Sequence, residues 1–119
     1  MEELRIETAP GAGPNGRILR LTGPFTLTTM FDFQSIVREQ GATVTIIDLA
    51  GVPYMDSAAL GSLLGFHVSC QREGHGYALT GVSDRIATLF KVAGVDGFLV
   101  CYNTPEEAER HLASRTATA

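Results

Sequence analysis

The sequence predicts a single α/β domain, with a mixed, mostly parallel sheet that opens on two short strands and is accompanied by about four helices. Three observations carry this expectation. The chain has 119 residues, 45% of them hydrophobic, and is long enough for one buried core but not for two. Apolar residues alternate in short runs near the start and recur at helical spacing farther on. Successive later strand-like runs are separated by enough residues for a helical crossover, which parallel pairing requires. One domain over residues 1–119 is expected, with residues 1–3 and 115–119 as loose ends.

Each element has a local reason. Leu4, Ile6 and Thr8 alternate, PGAGPNG turns the chain, and Ile18, Leu19 and Leu21 follow, which predicts a hairpin or neighbouring edge strands. From Leu27 to Gln40, Met30, Phe33, Ile36 and Val37 recur at helical spacing and Gly41 supplies a break. The β-branched run VTIIDL, Val44 to Leu49, suits a strand covered on both faces. A Pro-containing loop then leads into a helix carrying Leu60, Leu63, Leu64, His67 and Val68, with Ser57 as its expected N-cap and Gly74 as its end. HGYALTG reads as a short strand. SDRIATLFKVAG reads as a helix capped by Ser83, ended by Gly94, and turning Ile86, Leu89, Phe90 and Ala93 inward. FLVCY predicts the last strand. Thr104 at the N-cap, Pro105 at the first helical position and Glu107 two further on announce the last helix.

Composition narrows function. Nine Lys or Arg against thirteen Asp or Glu give a formal charge of −4, with Lys91 the single lysine, so a phosphate-backbone partner is not expected. No apolar run approaches the length of a membrane span. The start MEELRIETAPGAG lacks the features of a secretory leader, and cytoplasmic residence is the expectation. Cys70 and Cys101 form no CxxC pair and read as small buried hydrophobes. His67, His75 and His111 fall on three different elements without metal-ligand spacing, and His67 reads as a packed, hydrogen-bonded side chain. PGAGPNG matches neither phosphate-loop pattern, and Lys91 stands alone near a helix end, so no intrinsic cofactor is expected. Asp48 and Asp56 bracket the loop after the central strand and Ser57 begins the next helix, a common place for α/β sites. YMDSAALG is not a GxSxG elbow, but a small-molecule enzyme using the Asp56/Ser57 loop is one alternative at this level.

In order, GRILRLTGPF, VTIIDLAGVPYMDSAALGSLL and GHGYALTGVSDRIATLFKVAGVDGFLVCYNTPEEA resemble the STAS domain of bacterial anti-sigma factor antagonists over essentially the whole chain. The most specific stretch, IIDLAGVPYMDSAALG, is similar to the family's strand, loop and phosphoacceptor helix start, commonly written around D-S-S-G-L-G. The resemblance implies a regulatory adaptor, not an enzyme, with Ser57 as phosphoacceptor and Asp56 as the preceding acid. It implies binding of the unmodified form to an anti-sigma factor serine kinase, release of the sigma factor, and weakening of the complex by phosphate from the kinase's ATP. A serine phosphatase would reset the cycle. Ala58 and Ala59 depart from the motif's Ser and Gly but are small and favour a helix.

The partner-binding or kinase-recognition surface expected on this basis is Tyr54, Met55, Asp56 and Ser57, with Leu60 packing beneath. The interaction-only alternative is a nonphosphorylated STAS subunit of a transport or stress-signalling assembly, in which Ser57 is a fixed cap. The cognate kinase, the sigma factor, the upstream signal and the choice of monomer or dimer are not legible in the residues.

Overall fold

The PGAGPNG turn brings β1 (Arg5–Pro10) back against β2 (Gly16–Thr22) as an antiparallel pair in the computed structural model, which describes residues 3–39 and 42–117. From there the chain crosses over three times through helices. α1 (Met30–Val37) leads to β3 (Val44–Gly51), α2 (Ser57–Glu73) to β4 (Gly76–Thr80), and α3 (Asp84–Val92) to β5 (Cys101–Tyr102). The strands lie in sequential order, β1-β2-β3-β4-β5, with every pairing after the first parallel. α4 (Pro105–Ala117) closes the described chain. The predicted mixed, mostly parallel architecture with four helices is therefore observed. Residues 1–2 and 118–119 of the expected loose ends, and the expected helix break at Gly41, lie outside the described residues, whereas 115–117 are helical.

The period of two along each strand gives the sheet two unlike faces. Leu19 and Leu21, Ile47 and Leu49, and Tyr77 and Leu79 face Phe33 of α1, Leu60 and Leu63 of α2, and Ile86 and Phe90 of α3. Phe25, Phe33, Phe66 and Tyr77 run through this larger core as successive edge-to-face contacts, beginning with a centroid distance of 5.1 Å between Phe25 and Phe33. Ile18, Ile46 and Ala78 face the other way and are covered by Ala108 and Leu112 of α4. Two residues on, the same face carries a row in pairing register, Glu7, Arg20, Asp48, Thr80 and Tyr102. Arg20 Nε lies 3.7 Å from Asp48 Oδ2.

Termini and turns follow the sequence signals closely. Gly74 takes a left-handed φ of 72° at the end of α2, where a Cβ would be strained. Ser83 accepts from the Ile86 amide, and Thr104 from the Glu107 amide. α1 has an unforeseen support at its other end. The Arg17 guanidinium donates to the Ile36 and Val37 carbonyls and to Thr45 Oγ1, serving the carbonyls that a helix end leaves free.

Two elements are shorter than predicted. α1 begins at Met30 instead of Leu27, because the preceding threonines satisfy one another: the Thr26 amide donates to Thr29 Oγ1, which itself donates to the Pro24 carbonyl. The FLVCY strand contracts to Cys101–Tyr102. Phe98 and Leu99 are turned by amide bonds to the Val95 carbonyl, and Leu99 is spent on filling the core.

His67 is packed and bonded as expected, with Nδ1 at 2.7 Å from Tyr77 Oη, which also accepts the Val100 amide. Cys70 is buried as expected, whereas Cys101 is exposed, which corrects its reading as a buried hydrophobe; both are free thiols. Burial pushes the Cys70 thiol up to about 11, with Glu73 adding and Arg17 opposing, and pushes the Tyr77 hydroxyl up to about 12 against the lowering effect of the Val100 amide. Both groups hold their proton more tightly folded than unfolded. Stability is accordingly full below their ordinary values of 9.0 and 10.0 and falls as pH rises through the windows up to about 11 and 12. Chemical denaturation across alkaline pH should record this fall. Tyr77→Phe should make it shallower while lowering neutral-pH stability by about 1–2 kcal/mol through the lost hydrogen bonds.

The Thr80 hydroxyl is fully buried and has no hydrogen-bond partner among the described residues. Thr80→Val removes that desolvated group at nearly constant shape and should raise stability by about 1 kcal/mol, read as a higher Tm.

Candidate functional site

Where β3 ends, residues 52–56 lie alongside the segment that follows β2. The Gly23 amide donates to the Gly51 carbonyl at 2.9 Å, the Phe25 amide to the Tyr54 carbonyl at 3.2 Å, and the Asp56 amide to the Phe25 carbonyl at 3.3 Å. These bonds make a parallel bridge between Phe25 and Met55. Both side chains are buried beneath it, together with Val52. The apolar floor fixes the loop from below, and the backbone bonds fix it sideways.

Asp56 is the N-cap of α2, with extended backbone at φ −100° and ψ 176°. Its Oδ1 accepts the Ala59 amide and its Oδ2 the Leu27 amide, each at 2.9 Å. One carboxylate thereby satisfies a free amide of the first helical turn and ties down the threonine-rich segment before α1. The expectation that Ser57 caps the helix is corrected: an aspartate one residue earlier has two acceptor oxygens and reaches both donors. Ser57 is the first residue of α2 and is exposed.

The other expected site residues divide between surface and core. Tyr54 is 42% exposed, but Met55 is only 8% exposed and packs within the core. Met55 is thereby corrected from contact surface to floor. Leu60 is buried as expected, and Ala59 lies under the first turn, fully covered. Asp48 accepts the Ala50 amide and faces Arg20, which makes it a shaping residue for the strand end.

Two exposed apolar side chains on and just before α1 were not singled out from sequence, Leu27 at 54% and Phe31 at 58% exposure. Phe31 falls off the Met30, Phe33, Ile36 and Val37 stripe, and that position is its available signal, whereas Leu27 has helical spacing but precedes α1. Leu27 is held next to Asp56 by its amide.

Acid–base chemistry at Ser57 has no visible support. His67 lies ten residues farther along α2, about 15 Å by helical rise, and is engaged with Tyr77. His75 sits 3.4 Å from Glu73, and His111 stacks on Tyr102 at 4.7 Å between centroids. Among the described residues no group of His, Cys, Asp or Glu is arranged to hold a metal ion, and no helix is long and apolar enough to cross a membrane. A concavity of about 870 Å³ opens elsewhere, between α1 and α2, beside Arg17, Gln34, Ser62 and Ser69.

A helix start that exposes a serine beside a capping aspartate, on a sheet of this order, is a surface suited to being recognised. The STAS domain model matches residues 3–108, and the chain belongs to the STAS domain family. It is 30% identical over 71 residues to the anti-sigma-B factor antagonist of Staphylococcus aureus, an alignment covering 60% of this chain and 66% of that one. The anti-sigma-B factor antagonist of Listeria monocytogenes is 36% identical over 61 residues, covering 51% and 54%. The aligned stretches span less than two thirds of these curated relatives. Among solved structures, a putative anti-sigma factor antagonist from Thermotoga maritima superposes with a TM-score of 0.83 at 18% identity, over 91% of this chain and 94% of that chain. The anti-sigma factor antagonist SpoIIAA in its unphosphorylated form gives 0.70 at 16%, over 90% and 94%. At such identities these likenesses establish the shared fold.

The geometry separates the roles of the two adjacent residues. Asp56→Ala should cost about 2 kcal/mol, since the cap and the Leu27 tie are lost together. Asp56→Asn retains one acceptor oxygen and should fall between Asp56→Ala and the unsubstituted protein. Ser57→Ala should leave stability within about 0.5 kcal/mol of it. Urea denaturation of the three variants measures the order.

Proposed function

We propose that this chain is an anti-sigma factor antagonist that binds an anti-sigma factor serine kinase in the cytoplasm, frees the sigma factor, and is switched off by phosphorylation at Ser57. The observation carrying the reading is an exposed Ser57 at the first position of α2 in a chain of the STAS family. The names of its curated relatives support the partner class. The chain itself acts as a substrate and binding protein and not as an enzyme.

The chemistry is phosphoryl transfer: Ser57 Oγ bonds to the γ-phosphorus of the kinase's ATP, the bond from that phosphorus to the β,γ-bridging oxygen breaks, ADP departs, and the hydroxyl proton is released to solvent. Because Asp56 holds the cap, the Ser57 hydroxyl is not needed to keep α2 in place. A phosphate there meets the partial positive charge of a helix N-terminus, so the fold survives modification. The surface does not stay the same. Nearly two added negative charges beside Asp56 change what Tyr54 and Leu27 present around them, and a closely packed partner is rejected by charge and volume. A serine phosphatase removes the group and restores binding.

Incubation with the kinase encoded in the same genome and ATP, followed by site-localised mass spectrometry and calorimetry, tests both steps. Phosphate is expected on Ser57 alone, with affinity lowered at least tenfold, or about 1.4 kcal/mol. A complex that forms while Ser57 stays unmodified sinks the phosphorylation cycle.

A further inference from the structure

β1 forms one margin of the sheet, and among the described residues no strand pairs with its outer side. An open margin templates pairing with another chain unless its side chains prevent it. Arg5, Glu7 and Pro10 are residue types that often blunt such edges, and both charged side chains are exposed. Here, however, the charges are opposite and two positions apart, which makes the strand complementary to itself in one alignment.

The two-fold axis of an antiparallel pair of identical strands stands perpendicular to the sheet, so like faces remain together and the axis passes through one residue position. An axis at Arg5 sets Arg5 against Arg5 and Glu3 against Glu7. An axis at Glu7 sets Glu7 against Glu7. An axis at Thr8 places Pro10, which lacks an amide hydrogen, opposite Ile6 and leaves both charges unmatched. An axis at Ile6 pairs Arg5 with Glu7 of the second copy twice, sets Ile6 against Ile6, and places Leu4 opposite Thr8. Ile6 and Leu4 already face the larger core, so this alignment also continues the apolar face across the junction.

We propose that the chain binds a second copy of itself through β1, antiparallel and centred on Ile6, to give one continuous ten-stranded sheet. The association closes, because the two-fold pairing uses both β1 margins and the opposite margin, β5, offers only two residues for further growth. It rests on β1 alone and is independent of modification at Ser57.

Sedimentation equilibrium of the purified full chain, from micromolar to millimolar concentration, provides the test. A reversible monomer–dimer equilibrium is expected. Arg5→Glu is the informative substitution, because the β2 residue opposite Arg5 is the uncharged Thr22. It replaces two attractive pairs by two repulsive ones and should weaken the dimer on the order of tenfold. Arg5→Glu combined with Glu7→Arg restores complementarity and should recover most of that loss, with circular dichroism confirming the fold of each variant. A chain that stays monomeric throughout, or a dimer indifferent to Arg5→Glu, overturns the proposal. Failure of a folded double variant to recover association overturns the register.

Discussion

The local structure of the site depends on the Asp56 carboxylate. Its two oxygens hold two amides far apart in sequence, that of Leu27 on the approach to α1 and that of Ala59 in the first turn of α2. Without the first bond the threonine-rich segment has only its internal bonds, and without the second the longest helix begins on unmatched donors. The position of Ser57 follows from this arrangement. It is displayed at the surface because its neighbour already performs the task that a serine at a helix start usually performs.

Beneath that carboxylate, the parallel bridge between Phe25 and Met55 joins the site to the core. Phe25 contacts Phe33, and the aromatic series continues into α2 and β4. The site therefore sits on a rigid base of large side chains, with polar atoms confined to the rim. Such a division permits a change of surface charge without a change of core packing, as a reversible regulatory mark requires.

Most of the architecture was legible in the residues. VTIIDL, the glycines at 74 and 94, and the Thr104, Pro105 and Glu107 signature each identified an element through a local physical preference. The misreadings share one cause, which is competition from tertiary contacts or from neighbouring side chains. Leu27 has helical spacing, but the threonines around it prefer each other. FLVCY has strand chemistry, yet Leu99 is needed as core. Ser57 and Asp56 are both good caps, and the Leu27 amide offers the aspartate a second donor that the local segment does not reveal. Met55 looked like a contact residue because nothing within its own segment says that Phe25 will lie beside it.

The brevity of β5 bears on the order in which the native chain comes apart. Its ladder with β4 spans only Leu79 to Cys101 and Thr80 to Tyr102, and the smaller core beneath α4 is built from few side chains. With so short a ladder and so small a core to hold them, the C-terminal strand and helix are the part of the described chain expected to open at lower free energy than the four preceding strands.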